Sequence, residues 1–174
     1  VVKKGELANR IEVFEDLPYQ YDNWELSAYY KQKKWYVDNV DGFEIIDDGA
    51  RAGYKITRKY LNSTITQNIY VYDNSPRIDF ETSIDWKQEH VVMKAAFPLD
   101  IHTDKATYET QFGYVERPTH ENTSWDAAKF EVCAHKYADI SEDDYGVALI
   151  NNCKYGHNCE GSTLKLTMLK CGTF

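Results

Sequence analysis

The seven residues Cys153-Lys154-Tyr155-Gly156-His157-Asn158-Cys159 set two thiols and an imidazole close together, the ligand types of a tetrahedral zinc site. The spacing is Cys-x5-Cys, however, and no second Cys or His cluster follows. Asn151-Asn152 and Gly156 read instead as a turn between two strands. His102-Thr103-Asp104 places an imidazole and a carboxylate two residues apart, on the same side of an extended segment. Lys105 beside them would repel a cation, and Asp100 and Asp104 mark an exposed loop. The 28 Asp and Glu residues offer many carboxylate pairs. A glycosidase pair must sit about 5–10 Å apart across a sugar, and most acids here alternate on solvated strand faces. No Gly-x-Ser-x-Gly elbow or glycine-rich phosphate loop occurs, and the nine glycines are scattered. Asn62-Ser63-Thr64 and Asn122-Thr123-Ser124 fit the glycosylation triplet but read as turns. The residues therefore assign no catalytic residue and no metal ligand.

The elements that would carry such groups have period two. Ile78, Phe80, Thr82, Ile84 and Trp86 alternate with charged and small polar residues, as in a strand with one apolar face. With 65–72 and 54–60 this predicts a three-stranded antiparallel meander over 51–86, turning at Asn62-Ser63 and at Asp73-Asn74-Ser75-Pro76. Further strands are predicted at 10–14, 35–37, 43–46, 91–97, 107–112, 130–136, 146–150 and 164–169. Helix signals are confined to single turns near Pro18–Trp24 and at Trp125, with Ser124 as its cap. The fold class is all-β, an antiparallel β-sandwich with at most short helical turns, and residues 1–174 read as a single domain.

Composition narrows the partners. The 174 residues carry 20 Lys and Arg against 28 Asp and Glu, a formal net charge of −8. Such a surface repels phosphates, which argues against nucleic acid and anionic membranes as partners. No apolar run approaches the roughly 20 residues that span a bilayer. The chain starts on Val1 without a signal-peptide pattern and reads as a piece of something longer. Cys133, Cys153, Cys159 and Cys171 are then expected as reduced thiols in a cytoplasmic protein, with Cys133 buried in the strand pattern of Phe130, Val132 and Ala134.

One stretch is distinctive enough to point to a family. Residues 107–126 carry Gly113-Tyr114-Val115-Glu116-Arg117-Pro118-Thr119-His120-Glu121-Asn122 and Trp125-Asp126. They run on through Phe130-Glu131-Val132-Cys133-Ala134-His135-Lys136 to Gly146-Val147-Ala148-Leu149-Ile150-Asn151-Asn152-Cys153. Together with Phe80-Glu81-Thr82-Ser83-Ile84-Asp85-Trp86, Ala95-Ala96-Phe97-Pro98-Leu99 and Asp22-Asn23-Trp24-Glu25-Leu26, these resemble the C-terminal region of glycoside hydrolase family 38 α-mannosidases, in the cytosolic and vacuolar branch. The resemblance covers nearly the whole chain.

It implies a mutarotase-like supersandwich lying downstream of a catalytic domain in a retaining enzyme of mannose-containing glycans. The family's Asp nucleophile and its zinc-type divalent ion belong to that catalytic domain. The family's metal motif, Gly-His-x-Asp-x-x-Trp, is absent, since Asp100-Ile101 precedes His102 and Lys105-Ala106-Thr107 follows Asp104. The fragment alone is then expected to be inactive and to hold no cofactor. Its partners would be the catalytic domain of the same chain, the glycan in the intact enzyme, and a second copy if the enzyme is a homo-oligomer.

What the resemblance leaves to this region is a wall beside the sugar pocket. Arg117, His120 and Asn122, on a loop stiffened by Pro118, are the candidate substrate-binding residues, with donors suited to hydroxyls or a carboxylate. Alternatively Arg117 and His120 only pair within the domain. The competing functions are a stand-alone carbohydrate-binding sandwich using exposed Tyr and Trp, and a dimerisation module. As a layer of a larger enzyme, the chain is also expected to expose an apolar face.

Overall fold

The computed structural model describes residues 1–172. In chain order the strands are β1 (Arg10–Glu15), β2 (Lys34–Tyr36), β3 (Gly42–Asp47), β4 (Ala52–Tyr60), β5 (Ser63–Tyr72), β6 (Ser75–Asp85) and β7 (Val91–Pro98). They continue as β8 (Lys105–Thr110), β9 (Gly113–Pro118), β10 (Val132–Cys133), β11 (Tyr137–Ser141), β12 (Gly146–Ile150), β13 (Gly156–Glu160) and β14 (Thr163–Cys171). Among the described residues only a 3-10 turn, Ala28–Gln32, and one helical turn, α1 (Ser124–Ala127), are helical. The strands pair antiparallel into three sheets, as period-two patterning requires.

The chain forms two compact units, Val37–Glu89 and the segments on either side of it. The larger unit contains a six-stranded sheet, β10-β13-β14-β7-β1-β2, and a four-stranded sheet, β12-β11-β8-β9. Its core draws on both. Ala106 and Tyr108 of β8 and Ala138 and Ile140 of β11 cluster with Leu164 of β14, with Phe97, Val132 and Cys159 packed against them. The two sheets thus form a sandwich, each fully buried aliphatic side chain contributing about 1.5–3 kcal/mol.

Strand β7 lies in the middle of the larger sheet and is buried from Val91 through Ala96 on both faces. One face looks into the sandwich core. The other carries Lys94, level with Glu12 of β1 and Thr167 of β14. A cover forms over that second face. Ser27 caps the 3-10 turn by accepting from the Tyr29 backbone N–H, and Tyr30 then packs edge-on against Phe14 at 5.0 Å. Phe130 approaches Tyr30 at 6.2 Å.

The smaller unit is a single sheet, β3-β4-β5-β6, the predicted meander with one strand added. Gly53 is obligatory in β4, because a Cβ there would lie 1.8 Å from the Ile69 carbonyl oxygen. One sheet face carries Phe43, Ile45, Tyr54, Ile56, Ile65, Ile69, Val71, Ile78, Phe80 and Ile84, with Arg58, Gln67 and Thr82 hydrogen-bonded in a line among them. Trp86 stacks on Tyr60 at its end, with ring centroids 5.6 Å apart.

Several local expectations are corrected. The segment 130–136 is a strand only at Val132–Cys133, and there Val132 turns toward the core while Cys133 is exposed. The thiol is therefore not buried, because a two-residue edge strand has only one covered side. Phe112 is not in a strand. It occupies the turn between β8 and β9 at a left-handed φ of 63° and is fully exposed. The cap of α1 is Thr123, whose hydroxyl accepts from the Asp126 backbone N–H, not Ser124. Residues 18–24 form turns rather than helix; Tyr21 has a φ of 53°, and its carbonyl accepts from the N–H groups of Trp24 and Glu25.

Candidate functional site

The residues with chemical potential gather at one polar cleft of the larger unit. Arg117 and Pro118 end β9, His120 and Glu121 follow on the loop, and Glu160 ends β13. Lys31 enters from the 3-10 turn, ninety residues before Glu121 in sequence. Its ammonium sits 2.5 Å from Glu121 Oε1 and 2.7 Å from Glu160 Oε1. Burial alone would lower the Lys31 pKa, but hydrogen bonds to Glu121 and Glu160 outweigh it and hold the group above its ordinary value. The converse applies to Glu160. Burial pushes its carboxyl up, yet the Lys31 hydrogen bond and the Lys165 charge outweigh it and keep the pKa below the usual value. A glycosidase general acid needs a raised pKa. Glu160 is therefore ionised at neutral pH, an acceptor rather than a proton donor.

Behind the cleft the charges continue inward over the covered face of the large sheet. Lys165 bridges Glu160 and Glu12 at 3.2 Å each, and Lys34 bonds Glu12 at 2.9 Å. Asn158 donates to Glu160 at 3.2 Å and accepts from Lys94 at 2.8 Å. Lys94, fully buried, also pairs with Glu131, whose other oxygen accepts from Thr167 at 2.5 Å. Acidic and basic groups thus alternate at hydrogen-bond distance, which offsets part of the cost of burying them.

The three sequence-derived candidates do not share one fate. Arg117 lines the cleft, half-buried, and its Nε is buried without a hydrogen-bond partner among the described residues. His120 lines it too, 3.8 Å from Asp126. Asn122 is exposed outside it, its backbone N–H directed at His120 Nδ1 over 3.5 Å. Lys31, Glu121 and Glu160 were missed. Lys31 lies in a segment without a motif, and the acids look like the other carboxylates until the fold brings them onto one cation. Trp125, conspicuous in the sequence, is 80% exposed.

The sulfur and imidazole cluster separates. Cys153 is exposed on a turn at a φ of 62°, Cys159 packs against the core, and His157 is buried with Nδ1 3.3 Å from the Tyr155 carbonyl. His102 is exposed, its backbone N–H donating to Glu142. Among the described residues no three His, Cys, Asp or Glu side chains converge as metal ligands. The residues present do not fit a zinc-type ion.

Two expected results follow from this arrangement. Burial depresses the His157 pKa below its ordinary value. The unfolded chain, with an imidazole near 6.5, then binds the proton first. His157 stabilises the fold fully above about pH 6.5, and that contribution is lost as pH falls toward the folded-state pKa. Urea midpoints should decline on acidification below about 6.5, and His157→Leu should flatten the upper part of that decline; an unchanged slope would refute it. All four cysteines are free, and burial pushes the Cys159 thiol up to about 12. In the native chain a thiol reagent should modify Cys133 and Cys153 rapidly and Cys159 last, and the denatured, unreduced chain should titrate four groups. Rapid modification of Cys159 would contradict its burial.

The whole sequence, residues 1–174, matches the family described as glycosyl hydrolases family 38 C-terminal domain. The chain belongs to this family. Among its relatives, alpha-mannosidase 2C1 of Mus musculus is 37% identical over 174 residues, covering 97% of this chain and 17% of that protein. Alpha-mannosidase G of Dictyostelium discoideum is 40% identical over 178 residues, covering 98% and 16%. An alpha-mannosidase of Saccharomyces cerevisiae is 34% identical, covering 94% and 16%. The family-38 domain thus spans about a sixth of the length of these relatives. The fold agrees with the crystal structure of an alpha-mannosidase from Enterococcus faecalis V583, with a TM-score of 0.79 at 14% identity over 96% of this chain and 23% of that one. The expected all-β class and family resemblance hold, and the stand-alone binding module is not favoured.

Proposed function

We propose that this family-38 domain is the C-terminal β-sandwich of a retaining α-mannosidase acting on mannose-containing glycans. In this reading it buttresses a catalytic domain elsewhere in the same polypeptide and forms one wall of the sugar pocket. The family match across all 174 residues carries the reading, together with the small share of each relative that it spans. We treat the two compact units as parts of this one domain. The nucleophile and a zinc-type divalent ion belong to the catalytic domain. Arg117 and His120 supply donors to sugar hydroxyls from the cleft, with Asn122 at its rim. Glu121 and Glu160 are acceptors that Lys31 holds in place. The four free thiols support a reducing, cytoplasmic compartment. Among the described residues no helix is long and apolar enough to cross a membrane.

The decisive experiment compares two proteins. The 174-residue chain should not hydrolyse an aryl α-mannoside above background, with or without added zinc or cobalt. The longer polypeptide that contains it should. Metal-dependent turnover by the chain alone would overturn the assignment.

A further inference from the structure

The two four-stranded sheets of this molecule differ in what covers them. In the larger unit the apolar side of β12-β11-β8-β9 closes against a second sheet. In the smaller unit the apolar side of β3-β4-β5-β6 is covered only in part. Ile65 and Ile69 on the inner strand β5 are buried. Toward the edge strand β3, and toward the turns at 48–51 and 73–74, the same face opens to solvent. Ile45 is 83% exposed, Phe43 59%, Ile78 50% and Val71 49%, with Tyr54 also exposed. The register makes these one surface. Ile45, Tyr54, Ile69 and Phe80 share a row, as do Ala52, Val71 and Ile78. The first row carries no charge, and the second ends on Asp47 at the β3 edge. The opposite face is of the solvated kind, with Lys55 facing Glu44 and Arg51 bonded to Glu81. A sheet with one solvated side and one large apolar side is half of a sandwich, because leaving that side in water forfeits the burial that orders its strands.

From this we infer that the Phe43, Ile45, Tyr54, Val71 and Ile78 face is an intramolecular docking surface, covered by an apolar layer from a part of the same polypeptide outside these 174 residues. The inference rests on the reading of the chain as one domain of a longer enzyme. What favours that occupant is length. The relatives that this chain matches over 94–98% of itself carry it as only 16–17% of their own sequence, so most of each relative lies outside it. A permanent intramolecular contact tolerates a contiguous apolar patch, with a charge only at its edge, that a free surface would not. A tether also raises the effective concentration of such a cover far above that of a second copy.

The test is hydroxyl-radical footprinting of the longer polypeptide, reading Phe43, Ile45 and Tyr54 by mass spectrometry. All three should react several-fold more slowly than in the urea-unfolded polypeptide, and the protection should not change with protein concentration. Ile45→Asp and Ile78→Asp should lower the melting temperature of the longer polypeptide while scarcely moving that of the 174-residue chain. Reaction at the unfolded rate in the native longer polypeptide would overturn the docking surface and leave the domain assignment standing. Protection that is lost on dilution in step with dissociation of an oligomer would overturn it too, by making a second copy the cover. A reading frame that ends near residue 174 would instead refute the domain assignment on which the inference rests.

Discussion

Glu131→Ala is expected to destabilise the larger unit by about 3–5 kcal/mol, the cost of stranding a buried charge. Lys94 is fully buried in the middle strand of the six-stranded sheet, and Glu131 is its carboxylate partner. Burial drives the Lys94 pKa down, and Glu131 is what opposes the shift most. Without Glu131, Lys94 keeps one neutral acceptor, Asn158 at 2.8 Å, and the Tyr30 ring 5.2 Å away. Thr167 loses its acceptor as well. The reverse substitution should be far milder. Lys94→Met removes the charge and leaves Glu131 partly accessible, free to take up water. The double variant should recover most of the loss, within about 1 kcal/mol of Lys94→Met alone. Urea unfolding of the four proteins measures this. Equal costs for the two single substitutions would mean that Lys94 is not held in a dry site.

The largest kinetic effect is expected from Arg117→Ala in the intact enzyme. A charged donor to a sugar hydroxyl contributes about 1.5–3 kcal/mol, so kcat/KM should fall roughly tenfold to a hundredfold. Arg117 has a buried Nε with no hydrogen-bond partner among the described residues, so its removal breaks none of their hydrogen bonds at that atom. The melting temperature should therefore hardly move. This separates the sugar-facing arrangement from pairing within the domain, for which the kinetics would be unaltered and the stability reduced. His120→Ala gives a second reading, since His120 already lies 3.8 Å from Asp126. Its effect should be smaller than that of Arg117 if the imidazole's main contact is that carboxylate. Kinetics untouched by Arg117→Ala would end the proposal that this cleft faces the substrate.

How much of this was legible differs between segments. The meander was readable because alternation over β4, β5 and β6 is long and one-sided, and Asp73-Asn74 marks its second turn. The segment 130–136 misled because short-range composition cannot reveal whether a partner strand lies alongside. Only two of its residues find one, in β13. Phe112 was read into a strand for the same reason, its aromatic type outweighing the turn geometry that the neighbouring Gly113 signals. The cleft was half legible. The loop of Arg117 and His120 stood out by its polarity, whereas Glu121 was ordinary until Lys31 arrived ninety residues away in sequence.

The sequence by itself determined the strand class, the family and the absence of the catalytic metal motif. Each of these is written in local pattern, where period two and residue order need no knowledge of distant contacts. Only the tertiary structure decided which charges are paired in the interior, that Lys94 is among the most buried residues, and which apolar face is left uncovered. Those outcomes depend on which strands become neighbours. A lysine between hydrophobic strand residues looks the same in sequence whether it meets water or Glu131, and its energy differs by several-fold between the two.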